Sequence, residues 1–462
     1  MSAAPGRGQW ATGIGFILAA MGSAIGFGSI SRFPMEVANN GGAAFLILYA
    51  IVMIVVGIPM LTAEFSMGRR AQRNPAGAFE VLEGKRGTKW RLAGVFFFIL
   101  AGFFLSWYAV IAGWVLRYIF GAATGAYAAD PGAYQFDALE GPDALLGHLV
   151  VMTLCFLVLT TNVSKGIERL NLVLMPSLFL IITGIVVYAA TLPGNGAGYA
   201  FYLKPDFSAL SIPVFAAVIG QTFFSLGVGM GVMMTYASYL PQGKSLVKNA
   251  TIIALSTLAF AFMCGMMVFP LLSTYNLLGT GAAGLDLIFG PMAQAFTAMG
   301  TLGLVLGTFF FLAVFFAAFT SVVSLAEPAI AYVVEEHGAG RRRAALLVCT
   351  LIYGAGIMAA LSVEVLSFEG GPFVNVMLLS GGLLVALYVG WRTPAAVARE
   401  RIDEGMGPKL GGVILPIVRY AMPAILIALL VFAILGTPCA LTGGAPGPGL
   451  LAQLAGVRAL GC

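Results

Sequence analysis

Charged residues are scarce in this sequence. Asp, Glu, Lys and Arg make up 9% of the 462 residues, whereas 60% are hydrophobic, and the mean hydropathy is +0.97. A soluble globular domain has about a quarter charged residues, so this composition excludes one. The net charge is only +5, and it gives no reason to expect a nucleic-acid partner. The partner that the composition predicts is the lipid bilayer.

Residues that support metal or covalent chemistry are also few. The chain has five cysteines and two histidines. It contains no CxxC, HExxH, phosphate-binding P-loop or serine-nucleophile motif, which argues against a membrane enzyme and against an ATP-driven pump. Cys155, Cys264 and Cys349 fall within hydrophobic runs and are expected to be small buried hydrophobes. His148 and His337 fall at the ends of such runs and are expected to be solvated.

Long hydrophobic runs, in contrast, recur along the chain. A helix needs about 20 apolar residues to cross the hydrocarbon core of a bilayer. Eleven candidate spans are found at 12–34, 43–67, 92–120, 145–163, 169–190, 213–240, 249–273, 299–334, 344–361, 373–391 and 413–436. The tail after Gly436 is rich in Gly, Pro and Ala and is expected at the surface. The sequence therefore predicts an all-α integral membrane protein with about 11 transmembrane helices.

Basic residues collect at one set of span ends. All but four of the 24 Lys and Arg residues lie there. The four exceptions are Arg32, Arg117, Lys204 and Arg458. Short cytoplasmic loops are rich in Lys and Arg, so we expect a multi-pass protein of a cell inner (plasma) membrane, with the N-terminus cytoplasmic and the C-terminus outside. Cys439 and Cys462 would then lie outside, where a disulfide between them is one of two open alternatives.

Glycine interrupts two of the predicted spans. The first contains the run 21–29 (MGSAIGFGS) and the sixth contains the run 225–231 (SLGVGMG). A break inside a membrane releases backbone N–H and C=O groups, which cost several kcal/mol each unless they line a protected cavity. The breaks occupy matching places in two five-span halves. We therefore expect a transporter-like binding site where they meet, because a purely structural membrane protein leaves the paired breaks unexplained.

Motifs along these spans resemble the neurotransmitter:sodium symporter (solute carrier 6) family, and within it the prokaryotic amino acid transporters. They are 10–12 (WAT), 22–34 (GSAIGFGSISRFP), 40–45 (NGGAAF), 57–59 (GIP), Tyr108, 221–226 (QTFFSL), 235–239 (TYASY) and 317–321 (AAFTS). The resemblance covers nearly the whole chain to about residue 436. It implies two inverted five-helix repeats with broken helices 1 and 6, and sodium-coupled symport by alternating access.

The expected organisation follows from these repeats. It comprises a cytoplasmic N-terminal segment (1–11), a first repeat (12–190), an extracellular loop (191–212), a second repeat (213–391), a cytoplasmic loop (392–412), helix 11 (413–436) and an external tail (437–462). The sequence predicts no oligomeric state.

The resemblance implies a sodium site between the first and eighth spans, which is the second sodium site of the family. Its oxygens would be the backbone carbonyls of Gly22, Ile25 and Ala317 and the hydroxyls of Thr320 and Ser321. Oxygen ligands suit a hard cation. From the residues alone, both hydroxyls fit equally well as groups bonded to the preceding helical turn.

An amino acid substrate would bind between the two breaks. Its carboxylate would be held by the amides of Phe27 and Gly28 and by the hydroxyl of Tyr108. Gly26 would leave room for this carboxylate, since amine-transporting relatives have an aspartate there. Backbone carbonyls would accept from the substrate ammonium, namely those of Ala24, Phe224, Ser225 and Gly227. Without the resemblance, Tyr108 fits equally well as an ordinary buried tyrosine.

The other end of this pocket is expected to be apolar. Its wall would be formed by Phe104, Phe224, Met230, Ser321 and Leu325. Such a wall favours a neutral, hydrophobic amino acid. One methylene changes affinity in an apolar pocket by only about 1–3 kcal/mol, so the sequence does not name the individual substrate.

The first sodium site of the family is eroded here. Ser29 and Thr257 replace two ion-binding asparagines, while Ala24 and Ser225 remain. A serine hydroxyl reaches less far than a carboxamide oxygen. We therefore expect a single sodium ion per transport cycle, at the second site.

Chloride binding is the other open cofactor question. Chloride-dependent relatives use residues that match Tyr49, Gln221, Ser225 and Thr257, whereas independent relatives carry a glutamate where this chain has Ala261. The missing glutamate leaves either a chloride site or an empty one. Without the first sodium ion the need for a compensating anion falls, so we expect no chloride requirement.

The resemblance also implies two gates. Arg32 and Phe224 match the outer gate, but its acidic partner aligns with Gly370, so the neighbouring Glu369 or a bridging water would complete it. The inner gate would consist of Arg7, Trp10, Ser238, Tyr239 and Glu335. Glu64 is expected to accept hydrogen bonds from the unwound backbone of the broken spans.

Two other functions remain compatible with the sequence. The eroded first sodium site is consistent with proton-coupled or sodium-independent transport on the same fold. An amino-acid-binding receptor without turnover would also use these residues.

Overall fold

The computed structural model describes residues 8–129, 134–135, 138–139, 141–241, 243–278, 285–404 and 409–435. Three residues with predicted roles lie outside them: Arg7 of the inner gate, and Cys439 and Cys462 of the tail.

Apolar helices form the body of the protein. Among the described residues, nine are long enough to cross a membrane: Ala43–Ala71, Arg91–Thr124, Pro142–Leu159, Ser164–Thr191, Leu246–Thr274, Thr301–His337, Arg341–Leu361, Val363–Arg392 and Gly411–Leu435. In chain order we name them spans 2, 3, 4, 5, 7, 8, 9, 10 and 11.

Each of the two remaining spans is a pair of helices. Span 1 comprises Gly13–Ala24 and Phe27–Asn39, which meet at an angle of 62°. Span 6 comprises Ile212–Leu226 and Val232–Ser238, separated by five residues. By length and composition the described residues give nine spans, or ten with the bent pair of span 1, and the two helices of span 6 are each shorter than a full span. The helices are interrupted in the first and the sixth predicted spans, as expected.

Shorter helices lie between the spans. They are Pro75–Glu83, Ala126–Ala129, Asn195–Leu203, Ile288–Met292, Ala293–Ala298 and Ala395–Asp403. The helix Asn195–Leu203 lies within the segment expected as an extracellular loop. It packs on span 7, where the hydroxyl of Tyr202 donates to the carbonyl of Phe262 at 3.2 Å.

Span 10 begins about ten residues before its predicted start at 373. The side chain of Ser362 accepts from the amide of Val365 and caps the helix there, as serine does at helix N-termini. The span then bends at Gly371, where the backbone has φ −102° and ψ −106°.

His148 is fully buried, contrary to the solvated position expected for it. Span 4 begins at Pro142, so His148 lies nearly two turns inside the helix. Its ring packs 4.9 Å from that of Tyr353 in span 9.

Glycines allow the spans to approach closely, as is typical of membrane helices. A Cβ atom on Gly113 of span 3 would lie 2.6 Å from the carbonyl carbon of Gly147 in span 4. A Cβ atom on Gly68 of span 2 would lie 1.9 Å from the carbonyl oxygen of Met234. The second contact places span 2 directly against the second half of span 6.

The break in span 6 is held by a carboxylate from span 2. Glu64 is fully buried, and its two oxygens accept from the amides of Gly229 at 3.0 Å and Met234 at 3.2 Å. The amide of Gly229 lies in the unwound segment, and that of Met234 lies in the first turn of the helix Val232–Ser238. Neither has a helical acceptor, and a buried N–H needs one. Glu64 therefore has the structural role expected for it at span 6.

We predict that Glu64→Leu destabilises the protein by about 2 kcal/mol or more, because two buried amides lose their acceptor at about 1–3 kcal/mol each. The change should lower the thermal unfolding temperature in detergent. Ser66→Ala is the control, since Ser66 lies on the same helix and donates only to the carbonyl of Ala63 among described residues. Equal unfolding temperatures for the two variants would contradict this role.

Candidate functional site

Span 1 opens at Ile25 and Gly26. The first helix ends at Ala24, and Gly26 has an extended backbone, with φ −103° and ψ −173°. Any residue adopts that conformation, so space rather than strain explains the glycine. A Cβ atom on Gly26 would lie 2.9 Å from both Ser321 Oγ and Tyr108 Oη.

Span 6 opens for a different reason. Gly227, Gly229 and Gly231 have φ values of +62°, +87° and +72°. Side chains are strained in this left-handed region, whereas glycine is not. Alternate glycines with positive φ therefore unwind the span between its two helices.

The two breaks border one cavity. It is small, with a volume of about 30 Å³. The lining residues are Ser23, Ala24, Gly26, Gly28, Ser29, Phe104, Tyr108, Phe224, Ser225, Gly227, Met230, Val232, Ser321 and Leu325. Every predicted substrate-binding residue except Phe27 is among them.

Phe27 lies beside the cavity and acts through its backbone. Its amide donates to Tyr108 Oη at 2.9 Å, and its side chain lines a second, larger cavity. Ser23 and Val232 line the first cavity although the sequence analysis gave them no role. Both directly adjoin a glycine of a break, and that position is the signal that identifies them.

Aromatic rings close the cavity on one side. The rings of Phe104 and Phe224 are 5.6 Å apart, and the guanidinium of Arg32 lies 5.0 Å from the centre of the Phe224 ring. Beyond Phe224 is the second cavity, the vestibule, with a volume of about 490 Å³. Gly28 makes room for this ring, since a Cβ atom there would lie 2.3 Å from Phe224 Cε1.

The structure does not bring Glu369 to the outer gate. Arg32 pairs with Glu36, at 3.4 Å, one helical turn further along span 1. Gly370 lines the vestibule, but Glu369 does not. Its Oε2 is buried without a hydrogen-bond partner among the described residues. The i,i+4 spacing of Arg32 and Glu36 is the sequence signal for this pair.

Spans 1 and 8 meet at the predicted cation site. Ser321 Oγ lies 3.2 Å from the carbonyl oxygen of Gly22 and 3.3 Å from that of Ala317. Thr320 Oγ1 lies 3.1 Å from the oxygen of Ala317 and 2.9 Å from that of Phe316. Ile25 ends the first helix of span 1 beside them. Ser321 thus joins the carbonyls of Gly22 and Ala317 across spans 1 and 8, whereas the contacts of Thr320 are with the preceding turn of its own helix.

The donor set at this site consists of neutral oxygens. Within the described residues no group of three or more His, Cys, Asp or Glu side chains is placed to hold a metal ion. Transition metals prefer imidazole and thiolate ligands, whereas neutral oxygens suit hard cations. The residues present therefore fit a sodium ion.

The first sodium site is less complete. Ala24, Ser29 and Ser225 line the cavity, whereas Thr257 does not. The hydroxyl of Thr257 donates to the carbonyl of Ile253 in its own helix, at 2.9 Å. Ser225 Oγ accepts from Gln221 Nε2 at 3.1 Å. Two of the four predicted chloride-site residues are therefore already hydrogen-bonded to each other.

Trp10 packs at the end of the protein that we name the inner end, because the resemblance places the inner gate there. Its indole N–H donates to the carbonyl of Tyr236 at 2.8 Å, and its amide faces the carbonyl of Tyr239 at 3.4 Å. Ser238 donates to Thr235 within the same helix.

Glu335 faces the turn between spans 2 and 3. Its Oε2 accepts from the amide and the side chain of Asn74, at 2.8 and 3.1 Å, and lies 3.4 Å from Arg73 Nε. The structure therefore places Glu335 at the inner end of span 8, apart from the bonds of Trp10.

A second acid at the inner end was missed by the sequence analysis. Glu327 of span 8 is fully buried, accepts from the hydroxyl of Tyr239 at 2.8 Å, and binds both terminal nitrogens of Arg341 at 3.0 and 2.7 Å. Its location inside a predicted span was the available signal, since intramembrane acids are functional by default. The pair connects spans 6, 8 and 9.

Comparisons with known proteins agree with this geometry. A profile of the Sodium:neurotransmitter symporter family matches residues 7–134 and 139–441. The chain is 35% identical over 401 residues to the Uncharacterized sodium-dependent transporter YhdH of Bacillus subtilis, covering 82% of this chain and 87% of that protein. It is 32% identical over 453 residues to the Uncharacterized sodium-dependent transporter MJ1319 of Methanocaldococcus jannaschii, covering 90% and 89%.

A solved structure has the same fold. The crystal structure of MhsT in complex with L-phenylalanine superposes with a TM-score of 0.83 at 34% identity, covering 92% of this chain and 99% of that chain. These similarities confirm the predicted family, the fold class, and a transporter rather than an enzyme. The chain belongs to the sodium:neurotransmitter symporter family and is a multi-pass, sodium-dependent symporter of the membrane.

Proposed function

We propose that the protein imports a neutral, hydrophobic amino acid together with one sodium ion. The observation that carries this proposal is the position of Ser321. Its side chain lines the cavity between the breaks and also contacts the carbonyl oxygens of Gly22 and Ala317 at the cation site. An ion and a substrate that share one residue affect each other's binding, which is the requirement for coupled transport.

The amide of Phe27 and the hydroxyl of Tyr108 mark the end that binds the carboxylate. They hydrogen-bond to each other at 2.9 Å and adjoin the space beside Gly26. A substrate carboxylate placed there would accept hydrogen bonds from this end of the second helix of span 1. The carbonyls of Ala24 and Ser225 adjoin the same cavity and suit the ammonium group.

The lining of the cavity supports a substrate without a charged side chain. None of its 14 residues is Asp, Glu, Lys or Arg. A charge buried there would lack an ionic partner, which is costly. Phe104, Phe224, Met230 and Leu325 provide an apolar wall instead. The L-phenylalanine in the MhsT crystal structure adds support for a hydrophobic side chain.

A single sodium ion at the second site is consistent with the contacts. The carbonyls of Gly22, Ile25 and Ala317 and the hydroxyls of Thr320 and Ser321 provide the ligands. The first site offers only Ala24, Ser29 and Ser225 at the cavity, because Thr257 does not line it. We propose that transport requires no chloride.

The conformation supports alternating access. The bonds of Trp10 and the Glu327–Arg341 pair close the inner end, while the vestibule lies at the other end beyond Phe224. With the N-terminus cytoplasmic and the C-terminus outside, as the Lys and Arg distribution favours, the vestibule faces outward. Import would then require the inner contacts to break.

We predict that Thr320→Val raises the half-saturating sodium concentration at least tenfold, because the cation loses a hydroxyl ligand. Uptake of radiolabelled hydrophobic amino acids into proteoliposomes, in Na⁺ and in K⁺, measures the effect. Thr308→Val is the control, since Thr308 lies on the same span and donates to the carbonyl of Leu304. Equal wild-type uptake in both salts would overturn sodium coupling, and binding without counterflow would indicate a receptor.

We predict that Gly26→Ala weakens amino acid binding, since its methyl group would lie 2.9 Å from Tyr108 Oη and Ser321 Oγ. A loss of affinity of about 100-fold is expected for a group that occupies the carboxylate's space, roughly 3 kcal/mol. Gly102→Ala on span 3 is the control, because nothing lies within 4 Å of its Cβ position. Scintillation proximity binding in Na⁺ measures both variants. Undiminished binding by Gly26→Ala would place the substrate elsewhere.

We predict that Glu327→Gln opens the inner end, because breaking a buried ion pair costs the closed state about 3–5 kcal/mol. A cysteine at Ser238 should then react faster with a thiol reagent. Glu83→Gln is the control, since Glu83 pairs with the exposed Arg392 and a glutamine can still accept from its other partner, the hydroxyl of Tyr388. An ion pair with an exposed member is worth about 0–1 kcal/mol. Unchanged reactivity of the cysteine in Glu327→Gln would show that this pair does not close the gate.

A further inference from the structure

Asn171 of span 5 has a buried oxygen that no described residue satisfies. Its side chain is fully buried, and Oδ1 has no hydrogen-bond partner. The other end of the amide is fixed, because Nδ2 donates to the carbonyl of Ile167 at 2.9 Å. Only the nitrogen has hydrogen atoms to donate to that carbonyl, so the contact determines which end of the amide is the oxygen.

The unsatisfied oxygen lies against the cation site. A Cβ atom on Gly22 would lie 2.0 Å from Asn171 Oδ1 and 3.1 Å from Thr320 Cβ. Both Gly22 and Thr320 belong to the proposed ligand set, so Oδ1 faces the site from a third span. Glycine at position 22 is required for this approach, since any side chain would displace the amide.

The same side of span 5 also contacts the start of span 1. Glu168, three residues before Asn171, accepts from the amides of Ala11 and Thr12 at 2.7 and 3.1 Å. Span 5 therefore follows span 1 from its start to the cation site with two successive polar groups. Glu168 has its partners in the protein, whereas the oxygen of Asn171 does not.

A buried acceptor without a partner costs about 1–3 kcal/mol. A leucine of similar shape would avoid that cost, so the amide is explained best by a partner that arrives with the ion. The oxygen lies beside the Cα of Gly22, at the place that a Cβ atom would occupy. A water molecule bound to the cation would connect this oxygen to the site, since an ordered buried water needs two or more polar partners.

We propose that Asn171 Oδ1 accepts a hydrogen bond from a water molecule of the sodium ion's coordination shell, which makes Asn171 a positioning residue of the cation site. The inference rests on the proposed site at Gly22, Thr320 and Ser321. Span 5 would thereby support a cation whose direct ligands come from spans 1 and 8.

The test is a sodium titration of thermal stability with the full-length protein in detergent, with K⁺ replacing Na⁺ at constant ionic strength and without amino acid. Asn171→Leu should raise the half-saturating sodium concentration about tenfold. In K⁺ alone its unfolding temperature should equal or exceed that of the wild type, because the unsatisfied acceptor is gone. Asn171→Asp, which keeps an acceptor oxygen, should bind sodium at least as tightly as the wild type.

Two variants serve as references. Ser177→Ala on the same helix should change neither quantity, since its hydroxyl donates to the carbonyl of Val173. Thr320→Val should lose sodium stabilisation. If Asn171→Leu fails to fold, Asn171→Ala is titrated in its place, with the same expected shift.

The outcomes separate the two proposals. Suppose that Asn171→Leu leaves the half-saturating sodium concentration unchanged while Thr320→Val loses sodium stabilisation. This result overturns the role of Asn171 and leaves the cation site intact. An equal loss of stability in Na⁺ and K⁺ also overturns it, because the residue is then only structural. If sodium does not stabilise the wild-type protein, and Thr320→Val changes nothing, the cation site itself is refuted.

Discussion

Backbone groups released from a helix inside a membrane must find partners within the protein, because lipid offers none. Both breaks in this protein meet that requirement through side chains from neighbouring spans. At span 6 the carboxylate of Glu64 accepts from the amides of Gly229 and Met234. At span 1 the hydroxyl of Tyr108 accepts from the amide of Phe27. The proposed ion and substrate sites use backbone groups that the same two breaks release.

Ser321 lies between the proposed cation site and the cavity that the two breaks border. Its hydroxyl contacts the carbonyl oxygens of Gly22 and Ala317, and it also lies beside Gly26 at the wall of the cavity. A cation at the first position and a carboxylate at the second would lie on either side of one side chain. In the proposed mechanism, occupancy of both sites would draw spans 1 and 8 together, and this shared residue would be the physical basis of the sodium dependence that the family membership establishes.

Closure at the two ends uses different chemistry. The inner end is held by directional bonds of Trp10 and by the buried pair of Glu327 and Arg341. The outer end is covered by the Phe224 ring, with Arg32 above it. An aromatic ring moves with little loss of hydrogen bonding, whereas a buried ion pair is costly to separate. The asymmetry is consistent with a state that receives its substrate through the vestibule.

Much of this arrangement was predicted from local patterns. The positions of the spans follow from the length of apolar segment that a bilayer requires, and the breaks follow from glycines at 26, 227, 229 and 231. Gate pairing could not be derived this way. Glu369 aligns next to the expected acid, yet Arg32 pairs with Glu36, because a bend at Gly371 and the packing of span 10 decide which side chains face the vestibule.

The sequence by itself determined the membrane-embedded class, the span order and the two breaks, since each depends on composition or on the backbone freedom of nearby residues. Tertiary structure alone decided which groups meet. Asn171 with Gly22, and Glu327 with Arg341, are contacts between different spans that no local pattern specifies. The physical reason is that helix packing, with close approaches permitted at glycines, sets the distance and rotation between spans. Those two quantities place polar atoms within reach of one another.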